Sequence, residues 1–210
     1  MSLILASTSP RRRELLALLG IPFDIKRPSF EERLMPNRTV IEQVQSFAQG
    51  KAQSVTRQEP EAIVLGSDTV IELDHDMLGK PADLAEARAM LRRLAGRDHH
   101  VHTAVSLVCF ARGVDVVALS MAVVRMKLFD ERLHEGYLAT GESLGKAGAY
   151  SIQGKGGELI DSVGGDFTTV VGLPLRMVAQ LLAQAGVRVP VDVDEVYATK
   201  PYPNWACFSV

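Results

Sequence analysis

Residues 11–13 are three consecutive arginines in the first turn of a predicted helix that begins at Pro10. A helix N-terminus carries partial positive charge and unpaired N–H groups, so cations there oppose the usual charge preference. A bound anion resolves this conflict, because the backbone donors, the guanidiniums and the hydroxyls of Ser7 and Ser9 can together hold a phosphate group. A solvated arginine cluster above a leucine face is the alternative reading of the same pattern.

Carboxylates form the second group of residues that could do chemistry. Asp68 stands where an apolar strand ends, which is the usual position of working residues in α/β sheets. It could activate water or bind a divalent metal, and Glu31 and Glu32 offer two more carboxylates in a loop. Oxygen ligands without histidine or cysteine suit Mg²⁺ or Mn²⁺. A turn-capping aspartate and a solvent-facing glutamate pair are the alternatives.

Two lysines and a glutamine add binding groups. Lys80 lies between a glycine and a proline, which restrict its backbone, whereas Lys51 lies on a predicted helix, where a surface lysine is the alternative. The glycine-rich stretch 146–157 indicates backbone freedom or close approach to a ligand. Its Gln153 carries both a donor and an acceptor, which is what reading the edge of a base requires.

The elements that position these residues follow from periodicity and boundary signals. Ser9 as N-cap and Pro10 at the first helical position mark the start of the first helix. Polar residues 67–69 are expected to break a strand, and Asp83 with Glu86 predicts a helix cap. The predicted strands are 3–6, 23–27, 63–66, 70–73, 101–110, 114–128 and 159–163, and the predicted helices are 10–19, 40–56, 83–94, 130–140 and 172–185.

Length and composition restrict the class of protein. The chain has 210 residues, of which 47% are hydrophobic and 23% charged, and a formal net charge of −2. These values exclude a disordered chain and predict one domain or two closely fused lobes. No global basic field is present to bind nucleic acid or an anionic membrane, and no stretch predicts a membrane span. Two cysteines without metal-ligand spacing, and no signal peptide, predict a cytoplasmic protein.

Seven motifs, in order along the chain, resemble those of the Maf family of nucleoside triphosphate pyrophosphatases. They cover nearly everything from residue 3 to about residue 185. The motifs are S-x-S-P-R-R at 7–12, the acidic pair at 31–32, the helix lysine at 51, G-[AS]-D-T at 66–69, L-G-K-P at 78–81, K-A-G-x-Y-x-I-Q-G at 146–154 and V-V-G-L-P-L at 170–175.

The resemblance implies an α/β fold with a mixed twisted sheet, flanking helices and a central cleft, similar to the inosine triphosphate pyrophosphatases. It assigns residues 1–186 to a Maf-like domain of two closely fused lobes. Residues 187–210 remain a C-terminal extension of unknown role, expected to be loosely attached because of its prolines. The implied reaction cleaves a nucleoside triphosphate between its α and β phosphorus atoms, with a divalent metal, Mg²⁺ or Mn²⁺.

The same resemblance implies roles for individual residues. Asp68 would be the catalytic base. The triphosphate would be bound by Ser7, Arg11, Arg12, Lys51 and Lys80, and the metal by Glu31, Glu32 and Asp68. Two positions depart from the family pattern, with Gly145 in place of the usual aspartate and Ala104 in place of the usual glycine.

Three positions indicate the substrate. Arg11, Thr69 and Gln153 match the branch that hydrolyses dTTP and UTP, whereas the 7-methyl-GTP branch carries tryptophan, glutamine and glutamate there. The predicted substrates are therefore dTTP, UTP or modified pyrimidine triphosphates. Hydrolysis of 7-methyl-GTP or another purine nucleotide, and non-catalytic, nucleotide-dependent regulation of septum formation, are the alternatives. Family members are often dimeric, so a homodimer is one option, although no apolar stripe identifies an interface.

Overall fold

The computed structural model describes residues 2–208. The strands are β1 (Leu3–Ala6), β2 (Asp24–Lys26), β3 (Ile63–Leu73), β4 (Asp76–Leu78), β5 (Asp98–Cys109), β6 (Val114–Met126) and β7 (Ile160–Gly164). The α-helices are α1 (Pro10–Ala17), α2 (Val40–Thr56), α3 (Leu84–Leu94), α4 (Glu131–Leu138), α5 (Phe167–Val171), α6 (Leu175–Gln184) and α7 (Val193–Thr199). Short 3₁₀ helices span Phe110–Arg112, Ala147–Ala149, Lys155–Leu159 and Trp205–Phe208.

The seven strands form one mixed sheet in the order β2-β1-β3-β5-β6-β7, with β4 paired to β3. β1 pairs in parallel with β2 and with β3, whereas β3 with β4 and β6 with β7 pair antiparallel. Helices flank the sheet. The predicted α/β class with a mixed sheet is therefore confirmed.

Strand β3 is continuous from Ile63 to Leu73, so the predicted break at residues 67–69 is wrong. The polar side chains in its middle have partners, which removes the reason for the chain to turn. The Ser67 hydroxyl donates to the Gly172 carbonyl at 3.0 Å, and an Asp68 carboxylate oxygen accepts from Lys51. Residues 67–69 therefore continue β3 instead of ending it.

The chain divides into two compact units. Unit 1 consists of residues up to 68, 103–120 and 172–200, and unit 2 of residues 69–102, 121–171 and those after 200. Strands β3, β5 and β6 contribute residues to both units. Residues beyond 186 contribute α7 to unit 1 and the segment after Lys200 to unit 2.

Each unit has its own apolar core. In unit 1 the alternating residues Ile4 and Ala6 of β1 share one face, as the period of two in a strand dictates, and pack against α2 and β3. In unit 2 the buried face of α3 repeats every three or four residues, at Ala87, Leu91 and Leu94. This helix begins at the predicted cap, where the Asp83 side chain accepts from the Glu86 amide at 2.8 Å.

Residues 201–208 pack closely within unit 2, so the expectation of a loosely attached tail is wrong. Trp205 is only 3% exposed, and its ring stacks on Phe167 at a centroid distance of 5.4 Å and an angle of 9°. Tyr202 is also buried. An aromatic side chain buries a large apolar area, which outweighs the turn-forming tendency of the neighbouring prolines.

A buried histidine in unit 2 makes stability depend on pH. The Nε2 atom of His99 lies 2.8 Å from the hydroxyl of Tyr150. Burial lowers the pKa of His99 from 6.5 to about 4, with a further lowering from His100 and an opposing effect from Asp98. In the unfolded chain, His99 therefore binds a proton as the pH falls below 6.5. In the folded chain, it stays neutral until the pH approaches about 4.

We expect the His99 contribution to stability to be complete above pH 6.5 and to be lost as the pH falls toward 4. Between pH 7.5 and pH 5 the free energy of unfolding should drop by about 2 kcal/mol on this account. Urea unfolding at both pH values, performed on the wild type and on His99→Gln, measures this drop in the free energy of unfolding. Glutamine does not titrate, so the variant should lose about 2 kcal/mol less. An equal loss in both proteins would contradict the prediction.

Candidate active site

A buried cluster of opposite charges lies in unit 1. The Nζ atom of Lys51 lies 2.6 Å from an Asp68 carboxylate oxygen and 2.6 Å from a Glu32 carboxylate oxygen. These two oxygens are therefore separated by no more than twice that distance. The Lys51 and Asp68 side chains are 10% and 9% exposed, and that of Glu32 is 35% exposed. The predicted alternative of a surface lysine is wrong.

Close packing of α2 on β3 brings Lys51 to Asp68. A capping box between Thr39 and Glu42 begins α2. Its buried face repeats at helical spacing and includes position 51, so the lysine points toward the sheet. A Cβ atom on Gly66 would lie 2.4 Å from the Ala48 carbonyl, so glycine alone allows this approach.

The acidic loop is held in place by Phe30. Its ring packs against Phe47 at a centroid distance of 6.4 Å and covers Gly50, where a Cβ atom would lie 2.1 Å from the ring. This anchor sits two residues before Glu32, which reaches Lys51. Glu31 is exposed and pairs with Arg33 at 2.7 Å, so the structure brings Glu32 but not Glu31 into the cluster.

Arg12, in the first turn of α1, completes the cluster. Its Nη2 atom lies 3.9 Å from Asp68, and its Nε donates to the Gly172 carbonyl at 2.9 Å. Burial lowers the pKa of Arg12, while the carboxylates of Asp68 and Glu32 act in the opposite direction. Even so, a guanidinium stays charged in proteins, so the cluster keeps its cation.

The turn before α1 is tied together by Ser7. Its buried hydroxyl accepts from the Ser9 amide at 3.1 Å. Ser9 occupies the predicted N-cap position, but its side chain makes no capping hydrogen bond, and the first turn contains no acidic residue. Arg11 is half-buried and Arg13 is exposed. The first turn of α1 therefore carries basic but no acidic side chains, which is the pattern that indicated an anion site in the sequence.

The other predicted residues, Thr69, Lys80 and Gln153, belong to unit 2. Thr69 is half-buried and follows Asp68 in β3, Lys80 is exposed, and Gln153 is half-buried in the glycine-rich stretch. Two of their motifs are in contact, because the Gly148 amide donates to the Gly79 carbonyl at 3.0 Å. Both motifs thus lie side by side in unit 2.

The two carboxylates of the cluster are of the ligand type that hard divalent cations prefer. Asp68 and Glu32 each place a carboxylate oxygen against the Lys51 Nζ atom, and Mg²⁺ is commonly held by one or two carboxylates together with substrate phosphates and water. Among residues 2–208, no group of three or more histidine, cysteine or acidic side chains is arranged to hold a metal ion. The remaining ligands would have to come from phosphate oxygens and water.

Two partners of the cluster were missed by sequence reasoning. The Gly172 carbonyl accepts from both Arg12 and Ser67, yet a main-chain oxygen leaves no signature in the sequence. Ser67 belongs to a recognised motif but was expected to break the strand. Asn204, which contacts the Gln153 loop, lies in a segment without a recognisable motif.

The fold and the cluster define a class of protein: a mixed α/β protein with a largely buried cluster of two cations and two carboxylates. The chain belongs to the Maf-like protein family, whose model matches residues 2–185. Within the part of the chain that the structure describes, no helix is both long and apolar enough to cross a bilayer.

Curated relatives share this sequence over almost their whole length. A dTTP/UTP pyrophosphatase of Symbiobacterium thermophilum is 48% identical over 88% of this chain and 94% of its own. Proteins with the same name from Thermotoga maritima and Clostridioides difficile are 43% and 41% identical, over 89% and 87% of this chain and 90% and 94% of their own.

Among solved structures, the Ham1 protein of Staphylococcus aureus matches 60% of this chain and 72% of its own with a TM-score of 0.43 at 12% identity.

Proposed function

We propose that this chain is a nucleoside triphosphate pyrophosphatase that hydrolyses dTTP and UTP to the monophosphate and pyrophosphate in the cytoplasm. The observation that carries the proposal is the buried position of Asp68, with Lys51 at 2.6 Å and Arg12 at 3.9 Å. A carboxylate is kept out of water between two cations, where a polyphosphate could replace it as their partner. The names of the relatives support the same substrates.

Asp68 acts as the general base in the proposed reaction. A water molecule forms a new P–O bond while the anhydride bond between the α and β phosphorus atoms breaks. The proton of the water passes to Asp68, and pyrophosphate leaves with its electron pair. This assignment suits a carboxylate at the centre of a charged, largely water-excluded cluster.

The cations offset the charge that builds up around phosphorus. Arg12 is oriented by the Gly172 carbonyl, so its Nη atoms are pre-positioned for phosphate oxygens. Lys51 contributes a compact charge beside them. We assign Ser7, Arg11 and Lys80 to triphosphate binding on the family motifs.

A divalent metal, Mg²⁺ or Mn²⁺, is part of the proposal. Asp68 and Glu32 would hold it, since both carboxylates contact the same Lys51 ammonium and supply the oxygen ligands that these ions prefer. When bound, it would supply Lewis-acid polarisation of the phosphate oxygens. Lys51 now balances both carboxylates, so we infer that it turns toward phosphate when the metal binds. We do not assign Glu31 to the metal, because its carboxylate pairs with Arg33.

Base selection is assigned to Gln153, with Thr69 and Arg11 as the other two positions that match the pyrimidine branch. The carboxamide of Gln153 offers one donor and one acceptor, which complement the N3–H and O4 of uracil and thymine. A site that hydrogen-bonds a polar edge rejects ligands lacking that pattern far better than an apolar pocket does.

Pyrophosphate release from UTP, dTTP, CTP, GTP and 7-methyl-GTP, with Mg²⁺, with Mn²⁺ and with a chelator, tests the proposal. We expect hydrolysis of UTP and dTTP with either metal, at least tenfold slower hydrolysis of the other nucleotides, and loss of activity with the chelator. Activity on 7-methyl-GTP alone would move the chain to the purine branch. Nucleotide binding without any hydrolysis would instead favour the regulatory alternative.

A further inference from the structure

The segment after α7, which lies outside the family match at residues 2–185, holds the loop that carries Gln153. The Nδ2 atom of Asn204 donates to the Ile152 carbonyl at 2.8 Å and to the Gly154 carbonyl at 3.1 Å. These two residues flank Gln153 directly. One side-chain amide therefore uses both its hydrogens to fix the backbone on either side of the proposed base reader.

The loop is shaped around this contact. A Cβ atom on Gly157 would lie 2.7 Å from Nδ2 of Asn204, so glycine at 157 makes room for the amide. A second anchor is the carboxylate of Glu142, which accepts from the Lys155 amide at 3.0 Å. The backbone from 152 to 157 is thereby held at three points by side chains distant in sequence.

Asn204 is itself held in place. Its φ of +65° is a left-handed conformation that asparagine tolerates better than most residues. Its carbonyl accepts from the Cys207 amide at 3.0 Å, and the next residue, Trp205, stacks on Phe167. The stacked ring and the turn fix Asn204 relative to unit 2, so its amide is a firm support for the loop.

We infer that Asn204 is a positioning residue that sets the orientation of the Gln153 carboxamide and thereby favours uracil over cytosine. The inference rests on the proposed role of Gln153. A carboxamide turned by half a rotation exchanges its donor and its acceptor. Uracil presents N3–H and O4, whereas cytosine presents the reverse pattern, N3 and N4–H₂. A mobile glutamine would serve both bases, so selectivity requires a fixed loop.

Asn204→Asp tests the inference, because it keeps the shape of the side chain and removes both N–H donors. We expect the ratio of kcat/KM for UTP to that for CTP to fall at least tenfold. Asn204→Gly, which keeps the left-handed backbone and removes the amide, should act in the same way. Partial unfolding lowers kcat/KM for both nucleotides equally and leaves this ratio unchanged, which separates positioning from stability.

The matched control is Asn37→Asp, the same exchange at an exposed asparagine with the same φ of +65°. We expect it to keep the wild-type ratio. A wild-type ratio in both Asn204 variants would overturn the inference, whereas a wild type that hydrolyses neither UTP nor dTTP would overturn the proposed function instead.

Hydrogen exchange tests the positioning independently of turnover. Amides in residues 152–157, including that of Gly157, which donates to the Gly154 carbonyl, should exchange at least tenfold faster in Asn204→Asp than in the wild type or in Asn37→Asp. Unchanged exchange would refute the positioning role even if the enzyme proved inactive. Faster exchange with an unchanged ratio would refute the link to base selection.

Discussion

Asp68→Asn is expected to lower kcat for UTP by a factor of about 10² to 10⁴, the usual contribution of a general base. Asparagine keeps the shape of the side chain but cannot accept the proton of the attacking water. It also removes a negative charge beside Lys51 and Arg12, so in metal-free buffer, where the loss of a metal ligand has no effect, the variant should bind UTP at least as tightly as the wild type. Pyrophosphate release at saturating UTP and calorimetric titration with UTP measure the two quantities.

The control for this prediction is Asp115→Asn, an equivalent exchange on the surface of the same unit. Asp115 accepts from the side chains of Gln49 and Gln53 and makes no contact with the charged cluster. Its kcat should stay within a factor of two of the wild type. If Asp68→Asn kept more than a tenth of wild-type kcat, Asp68 would not be the base.

Lys51→Met is expected to lower the free energy of unfolding by about 3 to 5 kcal/mol, the usual cost of removing one partner from a buried ion pair. Methionine fills a similar volume, so the loss comes from charge rather than packing. The variant leaves Asp68 and Glu32 close together without their shared cation. Because Glu32 is partly exposed, water screens some of this cost, and the lower end of the range is expected.

Two further variants separate charge from other effects in urea unfolding. Lys26→Met breaks an ion pair with Glu59 whose side chains are 41% and 38% exposed, so it should cost less than about 1 kcal/mol. The double variant Lys51→Met with Asp68→Asn removes both charges and should recover at least half of the loss seen with Lys51→Met alone. Strictly additive effects would show that the two residues are not coupled.

Local signals predicted most of the elements that carry the site. Helix α2 spans residues 40–56 as its apolar spacing indicates, and the caps at Ser9 and Asp83 lie at the predicted positions. These features depend on neighbouring residues, so periodicity and capping preferences are enough to find them. Among the charged residues that the family motifs single out in unit 1, Arg12, Lys51 and Asp68 also fall together.

Features set by distant contacts could not be predicted in the same way. A helical lysine has the same signature whether it is buried or exposed, and only the close packing at Gly66 decides that Lys51 is buried. Likewise, Glu31 and Glu32 are equivalent in the sequence, and the Phe30 anchor determines which of them reaches Lys51.

The tail shows the same limit. Its prolines indicated a loosely attached segment, because a local pattern contains no information about Phe167, the ring on which Trp205 stacks. The continuous strand through Asp68 has a similar cause, since its polar side chains are satisfied by residues far along the chain.

The hydrogen bond from Arg12 to the Gly172 carbonyl bears on the entropy of nucleotide binding. A long side chain that becomes immobile on binding costs about 0.5 to 1.5 kcal/mol of rotamer entropy. The Arg12 side chain is already held by a partner within unit 1, so most of this loss is incurred when the protein folds. In the proposed reaction, a triphosphate would therefore meet a guanidinium whose order was established before the nucleotide arrived.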